Sequence, residues 1–223
     1  MTRSALRSIG ATTVAIVGAL AACRAAGSRA APASPAVAAG PRPIALLLVI
    51  QSELFASRIE SITPRTLQDR QPLLPLGAVL PSLRRLDGVA AVFAYGELAG
   101  PRTTFSPLSN IEHTWSAGLF DVDGEVAVGL AGALAFVPVL MRDVPADARR
   151  IAVVVGDGCD AQAAADPRLP ETFAMLSAAR VELLEIRTAS SSDRACGVLA
   201  GHATRLGADL ATGLAQLPSA LQR

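Results

Sequence analysis

Four mainly apolar runs constrain the fold of this chain more than any other feature. Each has the length of a strand, and they lie at Ile44–Ile50, Val89–Phe93, Ile151–Val155 and Val181–Ile186. A strand that is apolar at every position is buried on both faces, which is typical of a parallel sheet covered by helices on each side. We therefore predict an α/β domain with a mostly parallel central sheet.

The segments between and after these runs have the periodicity of helices. Thr103–Ile111, which follows a Gly-Pro turn signal, is predicted to be one antiparallel edge strand, hairpinned to Val89–Tyr95. The predicted helices, on both faces of the sheet, are Leu76–Leu86, Glu125–Arg142, Pro170–Arg180, Arg194–Leu206 and Leu210–Leu221.

The composition excludes two classes of protein. Hydrophobic residues make up 51% of the 223 residues and charged residues 17%, which is far from the composition of disordered chains. The formal net charge is +1, and acidic and basic residues are interspersed along the chain. This pattern carries no electrostatic footprint of nucleic-acid binding, so we predict no nucleic-acid partner.

The first 22 residues have the three parts of a secretory signal peptide. Arg3 and Arg7 give a basic start, an apolar stretch of about 12 residues follows, and small residues precede Cys23. A membrane span is the alternative, but it needs about 20 apolar residues. Leu-Ala-Ala-Cys resembles the bacterial lipobox, which implies that Cys23 is acylated and that membrane lipid is one partner.

Three segments follow from this interpretation: a signal peptide at 1–22, a lipidated N-terminus and Pro/Ala/Gly/Ser-rich linker at 23–42, and a folded domain at 43–223. The predicted location is extracytoplasmic, anchored to the cell membrane or to the periplasmic face of an outer membrane. The sequence leaves the choice between these membranes open.

Two motifs in the folded part resemble the von Willebrand factor A (vWA) family. Ile151–Asp160 resembles its fourth strand, with Asp157-Gly158 in place of the family's Asp-Gly, and Gly124–Gly129 resembles its Thr loop. The closing segment from Leu206 to Arg223 resembles the family's last short strand and helix. The resemblance covers about Ile44 to Arg223 and implies a Rossmann-like vWA domain that mediates protein–protein interaction in the cell envelope.

The residues that hold Mg²⁺ in the family are mostly replaced in this chain. The family's Asp and two Ser positions fall on Gln51, Glu53 and Phe55, with Ser52 between the first two. Its Thr falls on Val126, and Asp157 alone keeps its type. Apolar side chains cannot ligate Mg²⁺, which requires hard oxygen ligands in octahedral geometry. We therefore predict a degenerate site without a cofactor, in which Asp157 accepts backbone N–H bonds or caps a helix. A metal-dependent adhesion module is the alternative.

With Cys23 assigned to lipid, Cys159 and Cys196 remain as a pair. Disulfides persist outside the cytoplasm. The resemblance places the strands before these two residues side by side and so implies a Cys159–Cys196 disulfide. Two buried free thiols are the alternative.

No catalytic motif occurs in the chain. His113 and His202 stand apart from any nucleophile pattern, so we predict no enzyme. A hydrolase using Asp157 and Glu53 is the less favoured alternative. The loops after the strands are the predicted binding face for an unidentified cell-envelope protein. They are 51–69, 96–102, 110–123 and 156–166, and their candidate contacts are Phe55, His113 and Trp115.

Overall fold

The computed structural model describes residues 42–52, 54, 74–113, 126–188 and 197–223. The chain divides into two compact units, Met1–Ala39 and Gly40–Arg223, and every residue described belongs to the second. Cys23, Glu53, Phe55, Trp115 and Cys196 lie outside the described residues, so the predictions made for them stay predictions.

The described residues form a seven-stranded sheet whose centre is parallel. Its path runs β3-β2-β1-β5-β6-β7, and β4 also pairs with β2. The pairs β1–β2, β1–β5, β5–β6 and β6–β7 are parallel, whereas β3 and β4 pair with β2 antiparallel. The strands are β1 Ile44–Gln51, β2 Gly88–Pro101, β3 Ser106–Pro107, β4 Val126–Val128, β5 Arg149–Gly156, β6 Val181–Arg187 and β7 Thr204–Arg205.

Five α-helices in the described residues cover the two faces of this sheet. They are α1 Leu74–Leu83, α2 Leu130–Leu140, α3 Ala161–Ala165, α4 Leu169–Ala178 and α5 Leu210–Leu221. Helices α1 and α5 pack on one apolar cluster, and α2, α3 and α4 pack on the other. Alternate residues of β1 enter the two clusters, which explains why the strand is apolar at nearly every position.

The predicted fold class is confirmed: the domain is α/β, mostly parallel, with an antiparallel edge strand and helices on both faces. The edge strand is shorter than predicted, since only Ser106 and Pro107 pair with the start of β2. Beyond Tyr95, β2 continues to Pro101 and pairs with β4, so 96–102 is mainly strand and not loop.

Two of the predicted helices need correction. The segment predicted as one helix over Glu125–Arg142 begins with a strand, β4, and its helix α2 starts only at Leu130. The predicted helix Arg194–Leu206 is wrong over its described part, where residues 198–202 form turns and Thr204–Arg205 form β7. Gly201 and Gly207 adopt positive φ there, which ends any helix. Among the described residues, no helix is both long and apolar enough to cross a membrane.

Candidate functional site at the carboxyl ends of the strands

Side chains at the carboxyl ends of four neighbouring strands form a row across the sheet. Tyr95 of β2 is the register partner of Gln51 of β1, and Gly156 of β5 is the partner of Arg187 of β6. Gln51 and Gly156 directly follow the paired residues Ile50 and Val155. This row is where an α/β sheet ordinarily places its ligands.

Two positions assigned to the family's metal site, Gln51 and Asp157, are brought together here. The backbone N–H of Asp157 donates to Gln51 Oε1 at 2.8 Å, and Gln51 Nε2 lies 3.4 Å from Asp157 Oδ2. The other carboxylate oxygen, Oδ1, accepts the backbone N–H of Cys159 at 2.8 Å. Asp157 therefore stabilises the turn after β5, which is one of the structural roles predicted for it.

These atoms do not fit a magnesium site. Mg²⁺ needs several hard oxygen ligands around one centre, but Gln51 Oε1 accepts the N–H of Asp157, and the valine at position 126, where the family has Thr, has no side-chain oxygen. The described residues contain no group of three or more His, Cys, Asp or Glu side chains arranged to hold a metal ion.

The other positions assigned to the metal site have structural roles or lie in regular secondary structure. Ser52 is buried, and its N–H donates to the carbonyl of Tyr95, which joins the first turn after β1 to β2. Val126 lies in β4 opposite Ala99. The helix that the resemblance places after a Thr loop begins at Leu130, with Gly129 as its N-cap.

Asp160 is a residue that the sequence did not single out. Its Oδ1 accepts the N–H of Ala163 and so caps α3, while its Oδ2 accepts the N–H of Leu130 at the start of α2, both at 2.8 Å. One carboxylate thus joins two helix starts at this end of the sheet. The Asp-x-x-Ala spacing gives a weak signal for the first bond, but the sequence carries none for the second.

A buried ion pair closes the row at β6. Arg187 Nε donates to Glu185 Oε1 at 2.9 Å, and the two side chains are 9% and 6% exposed. Gly158, with φ of +72°, lies directly over them, since a Cβ added there would be 2.9 Å from Arg187 Nε. The pair therefore occupies space under the turn that carries Asp157.

Gly156 makes room for the two polar side chains beside it. A Cβ added to this residue would overlap the hydroxyl of Tyr95 and lie 2.8 Å from Gln51 Oε1. Tyr95 is 5% exposed, so its ring has little freedom to move away. Together with Asp157, Asp160 and the ion pair, these side chains form what we call the polar row: Tyr95, Gln51, Gly156, Asp157, Asp160, Glu185 and Arg187.

The structure describes three of the histidines and cysteines that the sequence analysis singled out in the folded domain: His113, His202 and Cys159. His113 is exposed and helical, and His202 lies in a turn, stacked on Phe173 with ring centroids 3.7 Å apart. Cys159 is disulfide-bonded, and its partner lies outside the described residues. The pairing with Cys196 stays a prediction.

Two exposed carboxyl groups elsewhere have shifted pKa values. The hydrogen bond from the Thr212 backbone lowers the pKa of Asp209, the N-cap of α5. The side-chain hydrogen bond from Arg168 lowers the pKa of Asp166. Both carboxylates cap or close turns on the surface, and neither belongs to the polar row.

The strand order and the helices on both faces define a vWA-like α/β fold. Solved structures with this fold match most of the chain. An aerotolerance-related membrane protein from Bacteroides fragilis is similar over 80% of this chain and 96% of its own, with 12% identity and a TM-score of 0.51. The conserved hypothetical protein BatB from Bacteroides thetaiotaomicron is similar over 79% and 96%, with 10% identity and a TM-score of 0.50.

A third similar structure is larger than this chain. The PilB minor pilin from Streptococcus sanguinis matches over 82% of this chain with 10% identity and a TM-score of 0.50, but only 62% of the pilin is covered. At these identities the likeness concerns the fold. No family model and no curated protein matches the sequence.

Proposed function

We propose that this chain is a membrane-anchored extracytoplasmic lipoprotein, held by lipid on Cys23, whose vWA-like domain mediates protein–protein contact without Mg²⁺. The observation that carries the proposal is the closed hydrogen bonding of Asp157. Its Oδ1 accepts the N–H of Cys159 and its own N–H donates to Gln51 Oε1, so a cation that bridges to a partner would compete with bonds that hold the turn after β5.

Three exposed apolar side chains on α2 and α4 support contact with a protein by another route. Phe136 and Val139 of α2 are 49% and 52% exposed, and Met175 of α4 is 42% exposed. The two helices pack against each other on the same face of the sheet. Aromatic and Met side chains are enriched in protein interfaces. This surface adds to His113, Phe55 and Trp115 as a place where a partner would bind.

The anchor is tested by replacing the acylated residue. We expect the full-length chain to incorporate labelled palmitate and to sediment with membranes. Cys23→Ala should do neither, because the thiol that accepts the lipid is lost. Labelling of Cys23→Ala equal to that of the unchanged chain would contradict the anchor.

The contact surface is tested by photo-crosslinking in intact cells. A photoreactive residue at position 136, 139 or 175 is expected to give a discrete adduct with a second protein. Gln216, exposed on α5 on the opposite face of the sheet, is the matched control and should give none. Identical adduct patterns at all four positions would argue against this surface.

The metal-independent character is tested by titrating Mg²⁺ or Mn²⁺ into the purified protein. We expect no saturable binding. A binding isotherm that disappears in Asp157→Ala would show instead that the domain is a metal-dependent adhesion module. Turnover of generic phosphoester or ester substrates would support the hydrolase alternative, which no contact among the described residues favours.

A further inference from the structure

Arginine side chains gather at the amino ends of the parallel strands, opposite the polar row. Arg149 and Arg150 begin β5, and Arg180 directly precedes β6. Arg85 lies between α1 and β2, and Arg42 precedes β1. Because parallel strands begin at the same end of a sheet, these residues share one surface. We call it the basic face: Arg42, Arg85, Arg149, Arg150, Arg180 and Arg223.

Backbone and side-chain contacts hold these residues together. The N–H of Arg149 donates to the carbonyl of Pro43, next to Arg42, at 2.8 Å. Its Nη1 donates to the carbonyl of Leu221 in the last turn of α5 at 3.0 Å, which brings Arg223 to the same end. Arg150 Nη1 donates to the carbonyl of Ala179 at 3.3 Å, next to Arg180.

Two adjoining depressions open on this face, with volumes of about 560 and 600 Å³. Arg42 and Arg149 line both of them, so they form one continuous concave surface. Three carboxylates also line the depressions: Asp87, Asp147 and Glu182. The six arginines therefore exceed the acidic side chains by three.

Five of the six arginines on this face form no close ion pair within the described part of the chain. Arg149 pairs with Glu182 at 2.6 Å. Within the described residues, none of the other five arginines has a carboxylate within 4.0 Å. Arg150 Nε is buried and has no hydrogen-bond partner there. The exposed guanidinium groups, those of Arg42, Arg85, Arg180 and Arg223, would find acceptors in a ligand rich in phosphate.

The charge of the whole unit makes this clustering significant. Gly40–Arg223 contains 16 arginines and 19 acidic residues, so it is net negative. An anionic surface would repel the net charge of the unit but would attract the basic face. Binding to such a surface would therefore depend on orientation.

We propose that the basic face docks on the anionic phospholipid surface of the membrane that anchors the chain. The inference rests on the proposed function, since the anchor places a membrane near this face. Arg42 is 19 residues from Cys23, so even a fully extended linker reaches no more than roughly 65 Å. Guanidinium groups bind phosphate oxygens with paired hydrogen bonds. Docking would turn the polar row away from the membrane.

The test uses the unit Gly40–Arg223, which contains both apolar clusters and so has a complete core. Its circular dichroism spectrum checks that it is folded. We expect the unit to sediment with vesicles of phosphatidylcholine mixed with phosphatidylglycerol, but not with phosphatidylcholine alone. Binding should disappear at 0.5 M salt, where charge interactions are screened within a few ångströms.

A matched pair of charge reversals separates the basic face from charge in general. Arg85→Glu/Arg180→Glu changes two exposed residues of the face and should weaken partitioning roughly tenfold or more. Arg168→Glu/Arg205→Glu changes the net charge equally. Arg168 lies between α3 and α4, and Arg205 lies beside Glu185, both toward the carboxyl ends of the strands. This control should bind as the unchanged unit does.

Three results would overturn the proposal: equal binding to neutral and anionic vesicles, equal loss in the two double variants, or tighter face-dependent binding to duplex DNA than to vesicles. Because the unit lacks Cys23, a failure here leaves the anchor untouched. Failure of palmitate labelling would remove the anchor without changing the vesicle result.

Discussion

The two ends of the central sheet differ in whether their polar side chains are bonded within the chain. At the carboxyl ends, Gln51, Asp157 and Asp160 bond to the chain itself, and the Glu185–Arg187 pair is buried. At the amino ends, five of the six arginines of the basic face have no carboxylate within 4.0 Å among the described residues.

This difference between the two ends of the sheet indicates which end is more suited to binding a ligand. A group whose hydrogen bonds are made within the fold contributes to stability, and it must break them before it binds anything else. Exposed, unpaired guanidinium groups need no such rearrangement. Substitutions in the polar row should therefore change stability, whereas substitutions in the basic face should change binding.

The largest effect is expected from breaking the buried ion pair. Glu185→Ala leaves the guanidinium of Arg187 buried without its partner, so the free energy of unfolding should fall by about 3–5 kcal/mol. Urea denaturation followed by circular dichroism measures this loss. The exposed pair Arg168–Asp166 is the control, and Arg168→Ala should leave stability unchanged.

A companion variant tests whether the pair is needed at all. Glu185→Met/Arg187→Met replaces both charges with apolar side chains and should be close to neutral, because no unpaired charge remains. If Glu185→Ala costs less than about 1 kcal/mol, Arg187 has reached solvent and the row is less closed than its contacts indicate.

A smaller loss is expected when the gap at Gly156 is filled. In Gly156→Ala the new methyl group would overlap the Tyr95 hydroxyl, and repacking should cost about 2–3 kcal/mol. Combining it with Tyr95→Phe should recover part of the loss. Gly77→Ala in α1 is the control, since its added Cβ meets nothing within 4 Å and alanine favours a helix. Additive effects of Gly156→Ala and Tyr95→Phe would contradict the overlap.

Loss of the shared cap should cost less again. Asp160→Ala removes the acceptor for the N–H groups of Ala163 and Leu130, and we expect a loss of about 1–2 kcal/mol. Asp160→Asn keeps one carbonyl acceptor and should lose about half as much. Thermal unfolding of the three proteins compares them. Equal stability of the alanine and asparagine variants would show that only one of the two bonds matters.

The sequence predicted the strands of the central sheet better than the candidate functional site. The runs at β1, β5 and β6 lie within two residues of the observed strand ends, because burial on both faces makes most positions of these strands apolar. The helix predicted over Arg194–Leu206 failed because apolar spacing does not reveal the positive φ of Gly201 and Gly207.

The polar row and the basic face escaped prediction for a different reason. The bond from Leu130 to Asp160 joins residues 30 apart, and Arg42 and Arg223 of the basic face lie 181 positions apart. Whether charges that are interspersed along a chain meet on one surface can be predicted only when the strand order is known. Asp157 and Gln51 were predicted together because the resemblance supplied that order.

The smallest effect concerns Arg180, where stability and binding should move in opposite directions. This residue follows the end of α4 with φ of 54°, a conformation that favours glycine at such a position. Arg180→Gly should therefore raise the free energy of unfolding by about 1 kcal/mol, whereas Arg180→Ala should not. Both variants should bind anionic vesicles more weakly than the unchanged unit, because both lose the charge.

Arginine at position 180 lowers the stability relative to glycine. Its presence there is explained if its charge contributes to membrane binding. If Arg180→Gly gains no stability, or binds vesicles as well as the unchanged unit, Arg180 has no such role, and the contrast between the two ends of the sheet weakens at this position.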